Sequence, residues 1–548
     1  MAKKNKSLIG HIHEINSSDF VASLISDDEG FVPEYKTDGV LIRTAQVGSY
    51  LIVSQSGPDL LVIVESMWFD YDSAGNQIRM VRMNPLGEFS NGIGFQRGVT
   101  HYPVLGAELH NISAKRLERI FSIYGSGEFN IGHLSSFENI NVSLDASAFF
   151  GRHSAILGQS GSGKSWTVAS VIQSSLNSMP NSHIILLDPH NEYSSHDRVF
   201  NRPVFPPEQT RCVSANDLEI PYWLLSYEEL IELLIDNEEE YASLQIAFLR
   251  GVLLDLKRET NEHLDLGRIT VDSPVYFSME ELYKTFKKYN EQTENFGKAK
   301  TALTGKFDSM LIKLESRLND TRYDFLLRPK QRNSSETLAD LTKEFLGLAD
   351  PTSALTIIDL STVPHDVLPT VTAQIGRLAF EFNFWNPRCR EFPLLLICDE
   401  AHTYIARESK SSEHKSARRS FERIAKTGRK YGVGLCIVSQ RPHDLSETVL
   451  SQCSSYFCMR ITNPIDQEYI RSLVPDAAHG ILDALTSLAQ GEAIATGEAV
   501  PLPVRLKINK PDPPPNSQNV DYADMWSRKE TKKIDVEDII DHWRVQQR

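Results

Sequence analysis

The chain is poor in cysteine, with six among 548 residues: Cys212, Cys389, Cys398, Cys436, Cys453 and Cys458. No two of them form a CxxC pair, and no His/Cys spacing suits zinc, which argues against a zinc module. Cys398 and Cys436 sit inside apolar runs and read as reduced core thiols, so the expected compartment is the cytoplasm. Long apolar runs are also missing. The longest, such as Pro393 to Cys398, are far too short to span a bilayer. The basic start MAKKNKSLIG carries no apolar stretch of signal-peptide length. Positive charge is scarce too: 57 Lys+Arg stand against 72 Asp+Glu, a formal net charge of -15. That balance excludes a protein that coats nucleic acid by bulk charge, but leaves room for a local basic groove.

What is present is ordinary globular material, 41% hydrophobic and 24% charged. Fibrous and wholly disordered classes are excluded, and the length calls for two to four domains. Residues 1–115 read as an N-terminal β-barrel or sandwich: SLIGHIHEI, DFVASLI, GVLIRTAQVGSYLIV and LLVIVESMWF are short Val/Ile/Leu-rich runs between Asp, Gly, Ser and Pro clusters. No catalytic constellation falls there, so an assembly or docking module is expected. In 116–214 the strands INVSLD and HSAILG lead through a Gly/Ser loop into the helical WTVASVIQSSLNSM and the strand HIILLD, a β-loop-α-β unit of a parallel sheet. Residues 215–345 carry apolar residues at helical spacing and read as a helical insertion, with Glu238, Glu239 and Glu240 as a solvated face. In 346–510 the runs ALTIIDLS, FPLLLICDE, GVGLCIVSQ and SSYFCMRI resume the α/β alternation. Residues 511–548 open on the Pro-rich linker PDPPPNSQN and end in the amphipathic candidate VEDIIDHWRVQQR, a brace for a neighbouring subunit or a frayed terminus.

The sharpest motif runs Gly158, Gln159, Ser160, Gly161, Ser162, Gly163, Lys164, Ser165, with Trp166 next, and fits G-x-x-x-x-G-K-[ST]. Glycines let the backbone curl so that several N–H groups face phosphate oxygens, and the following helix adds its N-terminal dipole. Lys164 can reach the β- and γ-phosphates, and the Ser165 hydroxyl can ligate Mg2+. The expected cofactors are therefore ATP and Mg2+. In LLLICDEAH an apolar strand ends in Asp399 and Glu400. Asp399 can hold Mg2+ through water and Glu400 can polarise the attacking water; the plain alternative is a helix-capping pair. HIILLDPHNEY puts Asp188, His190 and Glu192 after another strand, where Asp188 serves near the nucleotide or closes an Asp-Pro turn. Gln440, at the end of CIVSQRP, can contact the γ-phosphate or position water, against a turn amide.

From Arg407 to Lys430 the chain holds nine Lys/Arg and three Glu, a marked excess in an acidic protein. Three readings stand: arginine fingers, a channel for nucleic-acid phosphates, and a solvated basic face. Lys415, Arg418 and Arg419 are the candidate nucleic-acid contacts.

Together, RHSAILGQSGSGKS, LLDPHNEY, LLICDEAH, IAKTGRKYGVGLCIVSQRP and the N-terminal β-domain resemble the HerA branch of the FtsK–HerA P-loop ATPases. DEAH also resembles the DExH helicases, though their accompanying motifs are not apparent. The HerA resemblance implies a HAS-barrel and a RecA-like α/β core that assembles as a hexameric ring and pumps double-stranded DNA. It makes Lys164 and Ser165 the phosphate and Mg2+ groups, Asp399 and Glu400 the Walker B pair, and Gln440 the sensor. It implies arginines acting across subunits: Arg152 before the loop, and Arg423 or Arg429 in a stretch where Lys426 replaces a common Arg. It also implies a protein effector, a nuclease or a sirtuin-type NAD-hydrolysing protein, docked on the barrel, in DNA-end processing or antiviral defence. A nucleotide-dependent scaffold that activates an effector without pumping DNA is the competing reading.

Overall fold

A computed structural model describes the chain apart from residues 1–7, 26–33, 38–39, 44, 73–74, 91–93, 125–128, 195–202, 214–216, 218, 295–298, 350–351, 408–411, 476–477, 518–520, 528–534 and 546–548. The chain forms two compact units. The first takes residues 1–180, 436–443 and 450–517, and the second takes 181–435, 444–449 and 518–548.

The first unit begins with a closed six-stranded barrel. Its strands run Phe20–Leu24, Leu8–Ile15, Glu108–Asn111, Tyr50–Ser54, Asp59–Tyr71, Gln77–Ser90. Closure comes from antiparallel pairing of Phe20–Leu24 with Gln77–Ser90, from Phe20 opposite Met83 to Ser23 opposite Met80. Closing the sheet removes the unpaired edges that an open one would expose. In Leu8–Ile15, Ile9 and Ile12 are buried while His11 and His13 are exposed. Phe20, Val53, Leu60, Val62, Val81, Met83 and Leu109 are fully buried and form the barrel's core. The strand Gly94–Arg97 adds to the outside. Gly87 is required there, because a Cβ on it would stand 2.1 Å from the Gln96 carbonyl oxygen.

The rest of the first unit is a mixed sheet. Its strands are ordered Phe137–Ser143, Asn130–Leu134, Val504–Ile508, Glu492–Gly497, Ser455–Cys458, Ser154–Leu157 and then Val433–Ser439, which joins this unit from Cys436 on. Ser154–Leu157 pairs in parallel with both neighbours and is wholly buried, hence its unbroken apolar character. The helix Lys164–Ser178 follows it. The Pro-rich linker is pinned to this helix: Gln173 donates to the Pro513 carbonyl at 2.9 Å and accepts from the Asp512 N–H at 3.0 Å.

The second unit holds four parallel strands in the order Leu394–Cys398, Ile184–Asp188, Leu355–Asp359, Thr210–Val213. The first three are buried along their whole length. Helices Tyr227–Leu234, Ala242–Thr260, Met279–Glu291, Asp308–Leu318 and Leu338–Phe345 occupy the stretch read as helical. A capping box opens the first, with Ser226 accepting from the Glu229 N–H and Glu229 from the Ser226 N–H. The helical pattern breaks between the first two helices, where the Asp236 carboxylate accepts from the Glu238 N–H at 3.0 Å and favours a turn. Two helices, Leu368–Trp385 and Ser412–Thr427, pack on each other. Short helices Tyr522–Ser527 and Val536–Val545 close the chain, with Trp526 and Trp543 exposed. Among the described residues no helix is long and apolar enough to cross a membrane.

Candidate functional site

The strand Ser154–Leu157 delivers the chain into the phosphate loop. Gly158 donates to the Ser439 carbonyl at 3.2 Å and Gln159 to the Arg460 carbonyl at 3.0 Å, which fixes the loop's entry. The Gln159 side-chain oxygen accepts from both the Thr462 N–H at 3.1 Å and the Thr462 hydroxyl at 2.8 Å. The loop closes on itself where Ser162 donates to the Gln159 carbonyl at 3.2 Å. Gly161 at φ 74° and Gly163 at φ 110° take backbone conformations that side-chain-bearing residues rarely adopt. A Cβ on Gly158 would stand 2.7 Å from Ser162 Oγ and 2.8 Å from Met459 Cβ. The loop is therefore bare backbone wound before a helix.

That helix begins at Lys164, and its N-cap, Gly163, offers no side-chain acceptor. The first N–H groups of any helix lack an intrahelical acceptor and carry its positive dipole end. Lys164 is buried, with Nζ 3.4 Å from the Gln159 carbonyl oxygen, while Ser160 and Gly161 face solvent. Ser165 and Trp166 are half-buried. The donor set of bare N–H groups, one lysine and one serine hydroxyl fits a polyphosphate and a hard cation. Gln440 follows Ser439 and is half-buried, so the hydrogen bond from Gly158 to Ser439 puts the backbone next to Gln440 at the entry of the loop. Arg152 ends the helix Ala146–Gly151 and makes an ion pair with Glu498.

The second unit gathers carboxylates at the ends of its buried strands. Asp188 ends Ile184–Asp188 and is fully buried. Its two oxygens accept from the N–H groups of Glu192 at 3.0 Å, Tyr193 at 2.9 Å and Ser194 at 3.3 Å. Burial pushes its carboxyl up to about 6 against those hydrogen bonds, with Asp359 adding repulsion. Tyr193 is buried and donates its hydroxyl to Asp399 Oδ2 at 2.9 Å. Asp399 follows the strand Leu394–Cys398. Burial first, and then Glu400, Glu192 and Asp188, push its carboxyl up to about 8, and the Tyr193 hydrogen bond opposes them. A carboxylate held that high by burial and by its acidic neighbours is one that a nearby cation would return to its charged form. Among the described residues no group of three or more His, Cys, Asp and Glu forms a metal cage. A Mg2+ that draws most of its ligands from phosphates and water needs none.

Glu400 stands in the left-handed region at φ 45° and caps a short 3-10 turn without a side-chain capping bond. Its carboxylate lies beside the His402 ring, Nδ1 to Oε2 being 3.2 Å.

The basic candidates are more committed than their sequence suggests. Arg423 donates to Glu381 Oε1 at 2.6 Å and lies over the rings of Phe380 and Phe384, 4.5 and 5.7 Å from their centroids. It also lines a cavity of about 1220 Å³ in the second unit, together with Gln374, Arg377 and Arg419. Arg418 donates to the Arg407 carbonyl at 2.6 Å, and Arg419 to Glu228 at 3.3 Å. Lys415 and Arg429 are exposed. Residues 408–411 of the basic segment lie outside the described residues. Sequence reasoning did not single out Tyr193, His402, Met459 or Thr462. Tyr193 and His402 do fall inside the motif runs LLDPHNEY and LLICDEAH. Met459 and Thr462, far along the chain, carry no local signal.

Two family models match the chain: the central domain of helicase HerA over residues 129–379, and the HerA-like helicase C-terminal domain over 390–520. A probable helicase of Methanocaldococcus jannaschii is 24% identical, over 90% of this chain and 92% of its own length. The DNA double-strand break repair helicase HerA of Sulfolobus acidocaldarius is 28% identical over 80% of each chain. Among solved structures, VirB4 of Thermoanaerobacter pseudethanolicus is 18% identical with a TM-score of 0.45, covering 70% of this chain and 96% of its own. The chain belongs to the HerA helicase family of P-loop ATPases and is an enzyme of that class.

Proposed function

We propose that this HerA-family ATPase hydrolyses ATP to move double-stranded DNA through a hexameric ring. The observation that carries the reading is the phosphate loop, a glycine-shaped turn with φ 74° at Gly161 and 110° at Gly163, opening a helix at buried Lys164. Gly158 to Ser165 and Trp166 bind the nucleotide, Lys164 holds the β- and γ-phosphates, and Asp188 supports the acidic side of the site. Mg2+, held by Ser165 and through water by Asp399, supplies neutralisation of phosphate charge. Glu400 orients and deprotonates the attacking water, and Gln440 reports whether the γ-phosphate is present. Arg152 and either Arg423 or Arg429 act on the nucleotide of a neighbouring copy. For Arg152 and Arg423 this role requires release from Glu498 and Glu381.

The N-terminal barrel docks a protein effector, a nuclease or an NAD-hydrolysing protein. The work is DNA-end processing or antiviral defence, in the cytoplasm; the S. acidocaldarius relative is named for DNA double-strand break repair. The decisive assay is ATP turnover with and without duplex DNA, on wild type and Glu400→Gln. Stimulation by DNA and loss of turnover by at least about 100-fold in the variant, with ATP binding kept, are expected. Turnover that ignores DNA, with effector activation surviving in Glu400→Gln, supports the scaffold reading and sinks the motor.

A further inference from the structure

Glu400 is held unusually firmly by its backbone. Its N–H donates to Asp399 Oδ1 at 2.9 Å, and its carbonyl accepts from the Thr403 N–H at 2.9 Å and the Thr403 hydroxyl at 2.8 Å. The residue sits at φ 45°, ψ 40°, a conformation that costs a residue with a Cβ and persists only where the surroundings impose it. Strain of this kind fixes the direction in which Cβ leaves the chain. The remaining freedom is in the side chain, and a glutamate has three torsions with which to lose its aim.

His402 meets that freedom. Its Nδ1 is 3.2 Å from Glu400 Oε2, and the two side chains are 13% and 12% exposed. The approach is close but not aligned as a hydrogen bond, so Oε2 is buried without a hydrogen-bond partner of its own. A carboxylate restrained through one buried oxygen retains acceptor capacity for a water on the other. The histidine therefore restrains the carboxylate without filling its acceptor sites.

We infer that His402 is a positioning residue for ATP hydrolysis, which holds the Glu400 carboxylate where it meets the attacking water. The inference rests on the reading of Glu400 as the residue that activates water. Misplacement of a reacting group by about 1 Å is enough to cost about 100-fold in rate, so a lost restraint is read in turnover.

The test uses the full chain with duplex DNA and measures ATP turnover across ATP concentrations. His402→Ala is expected to lower kcat by about ten-fold or more and to leave KM for ATP unchanged. His402→Asn, whose side-chain amide can place a polar N–H edge beside the carboxylate near the Nδ1 position, is expected to regain most of that loss. In single-turnover measurements, Glu400→Gln and Glu400→Gln/His402→Ala should be equally slow, because the histidine acts only through the carboxylate. ATP affinity and the unfolding midpoint of each variant show that the fold is intact. A wild-type kcat in His402→Ala overturns the inference, as does a loss carried by KM, or a further fall in the Glu400→Gln background. Wild-type turnover in Glu400→Gln overturns the underlying reading of Glu400, which separates the two failures.

Discussion

Replacing one glycine by alanine should have opposite consequences at Gly163 and Gly251. Gly163 sits at φ 110°, ψ 18°, and a Cβ there would stand 3.1 Å from Met459 Cε and 3.3 Å from the Gly491 nitrogen. The left-handed conformation alone costs a residue with a Cβ about 1–2 kcal/mol, and more at a φ this far outside the usual well. The Met459 methyl can swing aside, but the Gly491 backbone cannot. The whole penalty comes to about 2–3 kcal/mol if the loop keeps its shape. If the loop relaxes, the stability loss shrinks and the phosphate cradle is distorted. Gly251 lies inside the helix Ala242–Thr260 with nothing within 4 Å of a Cβ. Alanine there should stabilise by about 0.8–1 kcal/mol, since glycine is the costlier residue in a helix interior. Urea unfolding and ATP affinity, measured on both variants, give the two readouts needed. Gly163→Ala should lose stability, weaken ATP binding by at least about ten-fold, or do both, while Gly251→Ala gains stability with affinity unchanged. A Gly163→Ala protein with wild-type stability and affinity would refute the claim that the loop depends on that backbone conformation.

Burial pushes the Lys257 amine down to about 8, although it donates to the carbonyls of Val271 at 2.7 Å and Ser273 at 2.8 Å. Between that value and the ordinary lysine range the unfolded chain holds the proton and the folded chain does not, so stability should rise from pH 8 to 10.5. The gain is at most about 3 kcal/mol in denaturant titrations, and no rise refutes it. Arg377 pairs at 3.0 Å with Glu229, a carboxylate 3% exposed, so Arg377→Ala should cost about 3–5 kcal/mol of unfolding free energy. Glu229→Gln, which preserves the capping box with Ser226, should cost less. Charge reversal at Lys415 should weaken DNA stimulation and flatten its salt dependence more than reversal at Arg419, measured as ATP turnover against salt.

The phosphate loop was legible because its chemistry is local: eight consecutive residues carry the turn, the lysine and the hydroxyl. The parallel strands were legible for a related reason, since burial on both faces leaves an unbroken apolar run such as Leu394–Cys398. Tyr193 was not legible as a link. Nothing in DPHNEY says that the phenol will donate to Asp399, 206 residues away. The support for Gln159 comes from Thr462, still further along the chain. The helix break at Asp236 was hidden by apolar spacing that continues on both sides, and only the turn chemistry of the aspartate marks it.

The basic segment shows why a count of charges in sequence overstates the field they produce. Of the cations between Arg407 and Lys430, Arg419 lies 3.3 Å from Glu228 and Arg423 lies 2.6 Å from Glu381. Arg418 and Lys426 both approach Glu422, at 3.7 and 3.9 Å. The Arg419 and Arg423 pairs present the solvent with a dipole more than a charge, whereas Arg418 and Lys426 share one carboxylate and keep a net positive charge between them; surface pairs of this kind contribute little to stability. Lys415, Arg429 and Lys430 are exposed, and the ion pairs of this segment among the described residues do not involve them. DNA phosphates would meet those three at full strength, and would have to displace a carboxylate to reach Arg419 or Arg423. Reversing Lys415 removes a contact that costs DNA nothing to make, whereas reversing Arg419 also frees Glu228. The first should therefore change the salt slope by about one counterion and the second by less, and an equal or larger effect at Arg419 would show that its pairing with Glu228 does not persist when DNA binds.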